Sequence, residues 1–162
     1  MLGGMYYYFW LYCIIRKKSQ RVRIIKAARV FQLLKNAQFK AEPGRLFAYI
    51  RMIDPFVFEE LLLLAFKSRG LKVIHNKRYT GDGGIDGIVI LPNQGRIAIQ
   101  AKRYQHHINV QHLKDFAQTV KNHRCHGGFF IHCGKSGRAV YQNMPDNMML
   151  ISGTNLYRLL VE

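Results

Sequence analysis

Acidic side chains are scarce in this chain. Its 162 residues carry 9 Asp and Glu against 25 Lys and Arg, a formal net charge of +16. Such an excess points to a polyanionic partner, either nucleic acid or an anionic membrane surface. Cysteine is scarce as well. Cys13, Cys125 and Cys133 are odd in number and lack CxxC spacing, so no disulfide framework is implied and a reducing cytosol fits. Together with His123, His126 and His132 they match no standard zinc spacing, and strand alternation turns His132 and Cys133 to opposite faces. The glycine cluster Gly81–Gly84 fits neither the P-loop nor the dinucleotide fingerprint. Internal repeats and low-complexity tracts are missing. No basic residue precedes the apolar start and no small-residue cleavage site follows it, which argues against a cleaved signal peptide. A long apolar run is missing too: Leu2–Ile15, taken as a helix, spans about 21 Å, short of the roughly 30 Å hydrocarbon core.

The charge that is present is unevenly placed. Residues 1–52 hold eleven Lys and Arg and one acid, Glu42, for a net +10, and the remainder carries +6. The chain therefore divides into a hydrophobic then basic arm, 1–51, and a domain, 52–162, long enough to bury a core of its own. The aromatic run Tyr6–Trp10 resembles an interfacial belt, and Arg16-Lys17-Lys18 would stay cytoplasmic beside it. Residues 2–15 are thus a candidate membrane anchor, and the competing reading is an arm that packs on the domain or on a partner chain. The expected location is the cytoplasm, with attachment to the inner face of the membrane if the arm binds lipid.

Periodicity gives the coarse elements. Val22–Phe39 has helical spacing, with Ile24, Ala28 and Phe31 on one stripe and Ala27, Phe31 and Leu34 beside it. Glu42-Pro43-Gly44 is a break. Asp54 caps a helix that has Pro55 at its first position and ends near Gly70. Leu71–His75 reads as a strand, Val110–Asn122 as a helix and Gly128–His132 as a short buried strand. Ser136–Met144 reads as helix, Met149–Ser152 as strand and Asn155–Val161 as a last helix. Helices at both ends of a short mixed sheet make an α/β sandwich.

The chemistry sits in a hairpin. The loop Gly81-Asp82-Gly83-Gly84-Ile85-Asp86 precedes the strand that carries Gln100-Ala101-Lys102. Ile97, Ile99 and Ala101 share one face of that strand, and Gly87, Val89 and Leu91 share the matching face of its neighbour. Aligning these faces pairs Leu91 with Ile97 across a five-residue loop and sets Asp86 opposite Lys102, on the side of Gln100. A one-residue slip would turn Asp86 away. An acid, an amide oxygen and a lysine within reach of one another suit metal-assisted cleavage of a phosphodiester. Asp82 is a rival for Asp86 and Glu60 for Glu59.

Phe58-Glu59-Glu60-Leu61, Gly70, Gly83-Gly84-Ile85-Asp86, Gln100-Ala101-Lys102-Arg103-Tyr104, Gly127–Ile131 and the closing stretch from Asp146 to Leu160 follow one another in order. In these motifs, over residues 52–162, the chain resembles the Mrr-like restriction endonuclease domain of the PD-(D/E)xK nuclease superfamily. The resemblance implies a restriction-endonuclease-like α/β sandwich, with a mixed central sheet flanked by helices, and a Mg2+-dependent DNA endonuclease. It makes Glu59 the helical glutamate, Asp86 the central metal-binding aspartate and Lys102 the catalytic lysine. Gln100 takes a place usually held by an acid. Glu59, Asp86, Gln100 and the carbonyl of Ala101 are the implied metal ligands. Double-stranded DNA is the implied partner, with Arg103, His106, His107 and Lys114 as candidates for phosphate contact, and a homodimer is among the expected assemblies. The alternative function is a nuclease-like DNA-binding module that has lost efficient catalysis, tethered to a membrane or free.

Overall fold

A computed structural model describes residues 3–76, 84–103 and 107–162, with side chains from residue 17 onward. Among the described residues, seven helices and five strands follow in the order α1 (Gly3–Leu34), α2 (Ala37–Ala41), α3 (Pro43–Met52), α4 (Pro55–Ser68), β1 (Lys72–His75), β2 (Gly87–Leu91), β3 (Gly95–Lys102), α5 (Val110–Asn122), β4 (Gly127–His132), α6 (Arg138–Gln142), β5 (Met148–Ile151) and α7 (Gly153–Val161). The strands lie in sequence order in one sheet. β1, β2 and β3 pair antiparallel, whereas β4 and β5 continue from β3 in parallel. This is the mixed sheet and α/β sandwich that the sequence pattern calls for.

Each face of the sheet has its own core. On one face Val89, Ile97, Ile99, Ile131 and Ile151 pack with α1, α4 and α7. On the other, Ile88, Ala98, Phe130, Met148 and Leu150 pack with Leu113, Phe116 and Val120 of α5 and Val140 of α6. Helix α4 is apolar on nearly all sides and correspondingly buried, from Val57 to Phe66, because α1, the sheet and α7 surround it. Its start is fixed locally: Asp54 Oδ1 accepts from the amides of Phe56 (2.9 Å) and Val57 (3.2 Å), and Pro55 opens the helix.

The expected hairpin is present, but in a different register. Leu91 pairs with Gly95 and Val89 with Ile97, not Leu91 with Ile97. The connection is a three-residue turn, Pro92-Asn93-Gln94, in which the Gln94 amide donates to the Leu91 carbonyl at 3.3 Å. Asn93 (φ 64°) and Gly95 (φ 77°) take the left-handed conformations that tighten the turn. A side chain at Gly95 would also strike the His126 ring. The shift is two residues, so every side chain keeps its face. Asp86 therefore lies beside Gln100 and not opposite Lys102.

Two expectations about the arm also change. Ile24 and Ile25 are solvent-facing, and the buried stripe of α1 is Ala27, Val30, Phe31 and Leu34. After Glu42 the chain resumes helical structure at once as α3, with Pro43 at its first position. The stripe of α1 belongs to the same core as α4 and the sheet. Phe31→Ala is expected to cost about 3–5 kcal/mol of stability, read as a lower denaturant midpoint at unchanged slope. Among the described residues no helix is long and apolar enough to cross a membrane. The side chains of residues 2–15, on which the anchor reading depends, lie outside the described residues.

Candidate active site

Three elements bring the predicted residues together. Helix α4 supplies Glu59 on its second turn, the entry to β2 supplies Asp86, and the last residues of β3 supply Gln100, Ala101 and Lys102. Asp86 is fixed at both ends. Its amide donates to the Ile99 carbonyl at 2.8 Å, and its Oδ2 accepts from the Ala101 amide at 2.6 Å. The site therefore includes the backbone of Ala101 as well as the side chains around it. Gln100 is buried. Gly84, with φ 92°, closes over the Gln100 amide so tightly that a Cβ there would collide with Nε2. The Asn76 side chain donates to the Ile85 carbonyl at 2.6 Å, tying together the two ends of the glycine loop. Asp82, within that loop, lies outside the described residues.

Burial and neighbouring charges shift both acids. Burial is the main cause that pushes Glu59 up to about 8, followed by the repulsion of Asp86 and Glu60; Arg23 and Lys102 oppose it. Burial raises Asp86 to about 6 against the pull of the Ala101 amide and of Lys102. Lys102 thus acts on both acids, and Asp86 acts on Glu59. Glu60 points elsewhere: its Oε2 meets His75 Nδ1 at 2.8 Å and its Oε1 meets Gln20 Nε2 at 3.5 Å. Glu60 is thus taken up by His75 and Gln20, whereas Glu59 is the acid of α4 on which the charge of Asp86 acts.

These shifts give a stability signature with a definite sign. Both carboxyls bind protons more tightly folded than unfolded, so their contribution is present at low pH and is lost as pH rises through the folded values. His132 works in the opposite direction. It is fully buried and its pKa falls to about 4, so it destabilises only as pH drops below its ordinary range. From pH 6.5 to 8.5, in chelator, the melting temperature of the full chain is expected to fall, and Glu59→Gln should flatten that fall. A wild-type melting temperature that holds level across this window would contradict the buried acid pair.

The remaining candidates are dispersed. Arg103 is half-buried, and its Nη1 donates to the Arg51 carbonyl at 2.6 Å. His107 and Lys114 are exposed. Tyr104 and His106 lie outside the described residues. Sequence reasoning missed a polar group at the ends of β3 and β4. His132 pairs in register with Lys102, accepts at Nδ1 from the Gly134 amide (3.1 Å) and donates from Nε2 to Ser136 Oγ (2.8 Å). Ser136 Oγ reaches Ser152 Oγ at 3.2 Å. A histidine closing an apolar strand was the available signal. Arg51 donates twice to the Cys133 carbonyl, at 3.2 and 2.7 Å, and so secures α3 to the same end of the sheet. Burial pushes the Cys133 thiol up to about 12, which makes it inert.

The sequence pattern of the restriction endonuclease (Mrr_cat) family matches residues 50–160, which contain every residue of this site. The chain belongs to that family. The match covers the acid pair on α4 and β2, the Gln100–Lys102 run and the closing elements through α7. Over 87 residues the chain is 31% identical to the type IV methyl-directed restriction enzyme EcoKMrr of Escherichia coli (strain K12), an alignment that covers 51% of this chain and 29% of that enzyme. It thus spans under a third of that relative's length. A solved structure, the MspJI restriction endonuclease in complex with a 27-mer oligonucleotide, superposes on 82% of this chain and 30% of its own, with a TM-score of 0.39 and 20% identity.

The donor set can be tested against a metal. Among the described residues no three His, Cys, Asp or Glu side chains gather as a metal site. The site offers two carboxylates, an amide oxygen and a backbone carbonyl. All are hard oxygen donors, which suit magnesium and its retained waters better than a thiolate- or imidazole-binding metal. A divalent cation would also relieve the repulsion between Glu59 and Asp86. The residues present fit magnesium.

Proposed function

We propose that this protein is a metal-dependent DNA endonuclease that hydrolyses phosphodiester bonds. The observation that carries the reading is the convergence of Glu59, Asp86 and Lys102 from three separate elements: the charge of Asp86 raises the pKa of Glu59, and that of Lys102 lowers both. A basic chain at +16 suits the polyanionic substrate. Glu59, Asp86, the Gln100 amide oxygen and the Ala101 carbonyl would hold magnesium. When bound, magnesium lowers the pKa of a water and offsets charge on the phosphate.

The chain's own groups do the rest. The Ala101 amide fixes the orientation of Asp86, so this ligand pays little entropy on binding. Lys102 orients the attacking water and opposes the negative charge that builds on the phosphate in the transition state. Water adds to phosphorus in line with the leaving oxygen, and one P–O bond breaks. Half-burial of Lys102 keeps its charge effective near the reacting phosphate.

Gln100 favours a second reading. It contributes no charge where an acid would, so the site has two anionic ligands and a weaker hold on metal. In the limit, the chain is a DNA-binding module with slow catalysis. Plasmid digestion with and without magnesium, set against a Lys102→Ala control, separates the two. Nicking that needs both magnesium and Lys102 supports the endonuclease. DNA binding without nicking supports the module.

A further inference from the structure

Helix α1 packs along α4, the helix that carries Glu59. Gln20, Arg23, Ala27, Val30, Phe31 and Leu34 recur at helical spacing and lie on one face. The last four are buried against α4 and the rest of the core. The two polar residues extend that face past the apolar stretch, toward the acids of α4. Gln20 Nε2 lies 3.5 Å from Glu60 Oε1, which sets the rotation of α1 about its axis. One turn on, the Arg23 guanidinium carbon lies 4.3 Å from the centre of the Phe56 ring. Phe56 and Glu59 are three residues apart on α4 and so share a face. Arg23 is half-buried, whereas Arg21, Lys26 and Arg29 of the same helix are exposed.

A guanidinium held over a ring by cation–π attraction carries its N–H donors in a planar fork. That fork matches two phosphate oxygens, a geometry that lysine lacks. The Phe56 platform therefore does more than anchor a helix. It holds a planar cation one helical turn of α4 from Glu59.

We infer that Arg23, supplied by the arm and outside the segment that defines the family, contacts a DNA phosphate in the nuclease site. The contact rests on the endonuclease reading for its substrate. It places the arm within the substrate-binding machinery, beyond a general basic attraction. The competing role is structural, a cation clamped between α1 and α4 that never meets DNA. The charge of Arg23 also draws down the pKa of Glu59, which agrees with its position beside the acids.

The test uses the full chain and a short DNA duplex in chelator, where no cleavage occurs. Binding is followed by fluorescence anisotropy over a range of salt. Arg23→Gln should flatten the log–log salt slope by about 0.9, the value for one phosphate contact. Arg23→Lys should keep the slope yet bind more weakly than wild type, because the planar fork is lost. A second measurement needs no variant. Arginine modification by phenylglyoxal, mapped by mass spectrometry, should show Arg23 protected by duplex DNA. An unchanged slope in Arg23→Gln, or equal modification with and without DNA, would overturn the contact. Wild-type protein that fails to bind DNA would instead overturn the proposed function. DNA binding with an unchanged Arg23→Gln slope removes only the role of Arg23.

Discussion

Lys102→Ala is expected to reduce DNA cleavage by at least about 10²–10³-fold, the cost of losing one preorganised group that stabilises transition-state charge. DNA binding should change little. One cation among 25 Lys and Arg is removed, and the salt slope should fall by no more than about 0.9. The asymmetry follows from position. Lys102 is the last residue of β3, half-buried, and it acts electrostatically on both Glu59 and Asp86. In the proposed endonuclease its ammonium would lie beside the reacting phosphate, where charge changes most during the reaction. A surface lysine such as Lys114 on α5 is exposed and would contribute attraction at long range. Plasmid nicking at saturating DNA, with anisotropy binding on the same protein, measures both halves. Undiminished nicking by the purified variant would sink the role.

What the sequence disclosed depended on whether the signal was local. Asp54-Pro55 fixed the start of α4 because a cap and a preset φ act within one turn. Val110–Asn122 was legible in full, since its apolar residues keep helical spacing between an Asn cap and His123. That Gln100 and Lys102 share a face was legible because alternation along β3 holds whichever register the hairpin adopts. The register itself was not. Choosing between two alignments that differ by two residues requires the turn conformation of Asn93 and Gly95, and apolar patterning is blind to an even shift. Helix α3 was hidden behind Pro43-Gly44, which reads equally as a break or as a first helical turn. The buried face of α1 was assigned partly to Ile24, which tertiary packing leaves exposed. Arg23 was submerged in a basic count. Its spacing from Ala27 and Phe31 was visible, but which cation on that face meets an aromatic platform depends on where α4 lies.

Asp86→Ala should have an effect comparable to the loss of Lys102, but by a different route. Losing an outer partner of a metal ligand typically costs about 10–100-fold in metal affinity or activity, and Asp86 is itself a proposed ligand, so its loss should exceed that range. The variant also leaves the Ala101 amide without its carboxylate acceptor, which loosens the backbone whose carbonyl is another proposed ligand. Metal-dependent cleavage should fall to background, and calorimetric binding of magnesium should disappear with it. Undiminished cleavage by the purified Asp86→Ala protein would end the assignment. Gln100→Glu probes the same site from the opposite direction. It adds a third carboxylate to a buried pair that already sits at about 8 and about 6. In chelator, this extra repulsion should lower the melting temperature below that of wild type at pH 8. In magnesium the order should reverse, because affinity rises with ligand charge. If cleavage rises together with metal affinity, the weak point of the native site is its hold on the cation. If metal affinity rises and cleavage does not, the two-acid site is limited at a later step, and the DNA-binding reading gains ground.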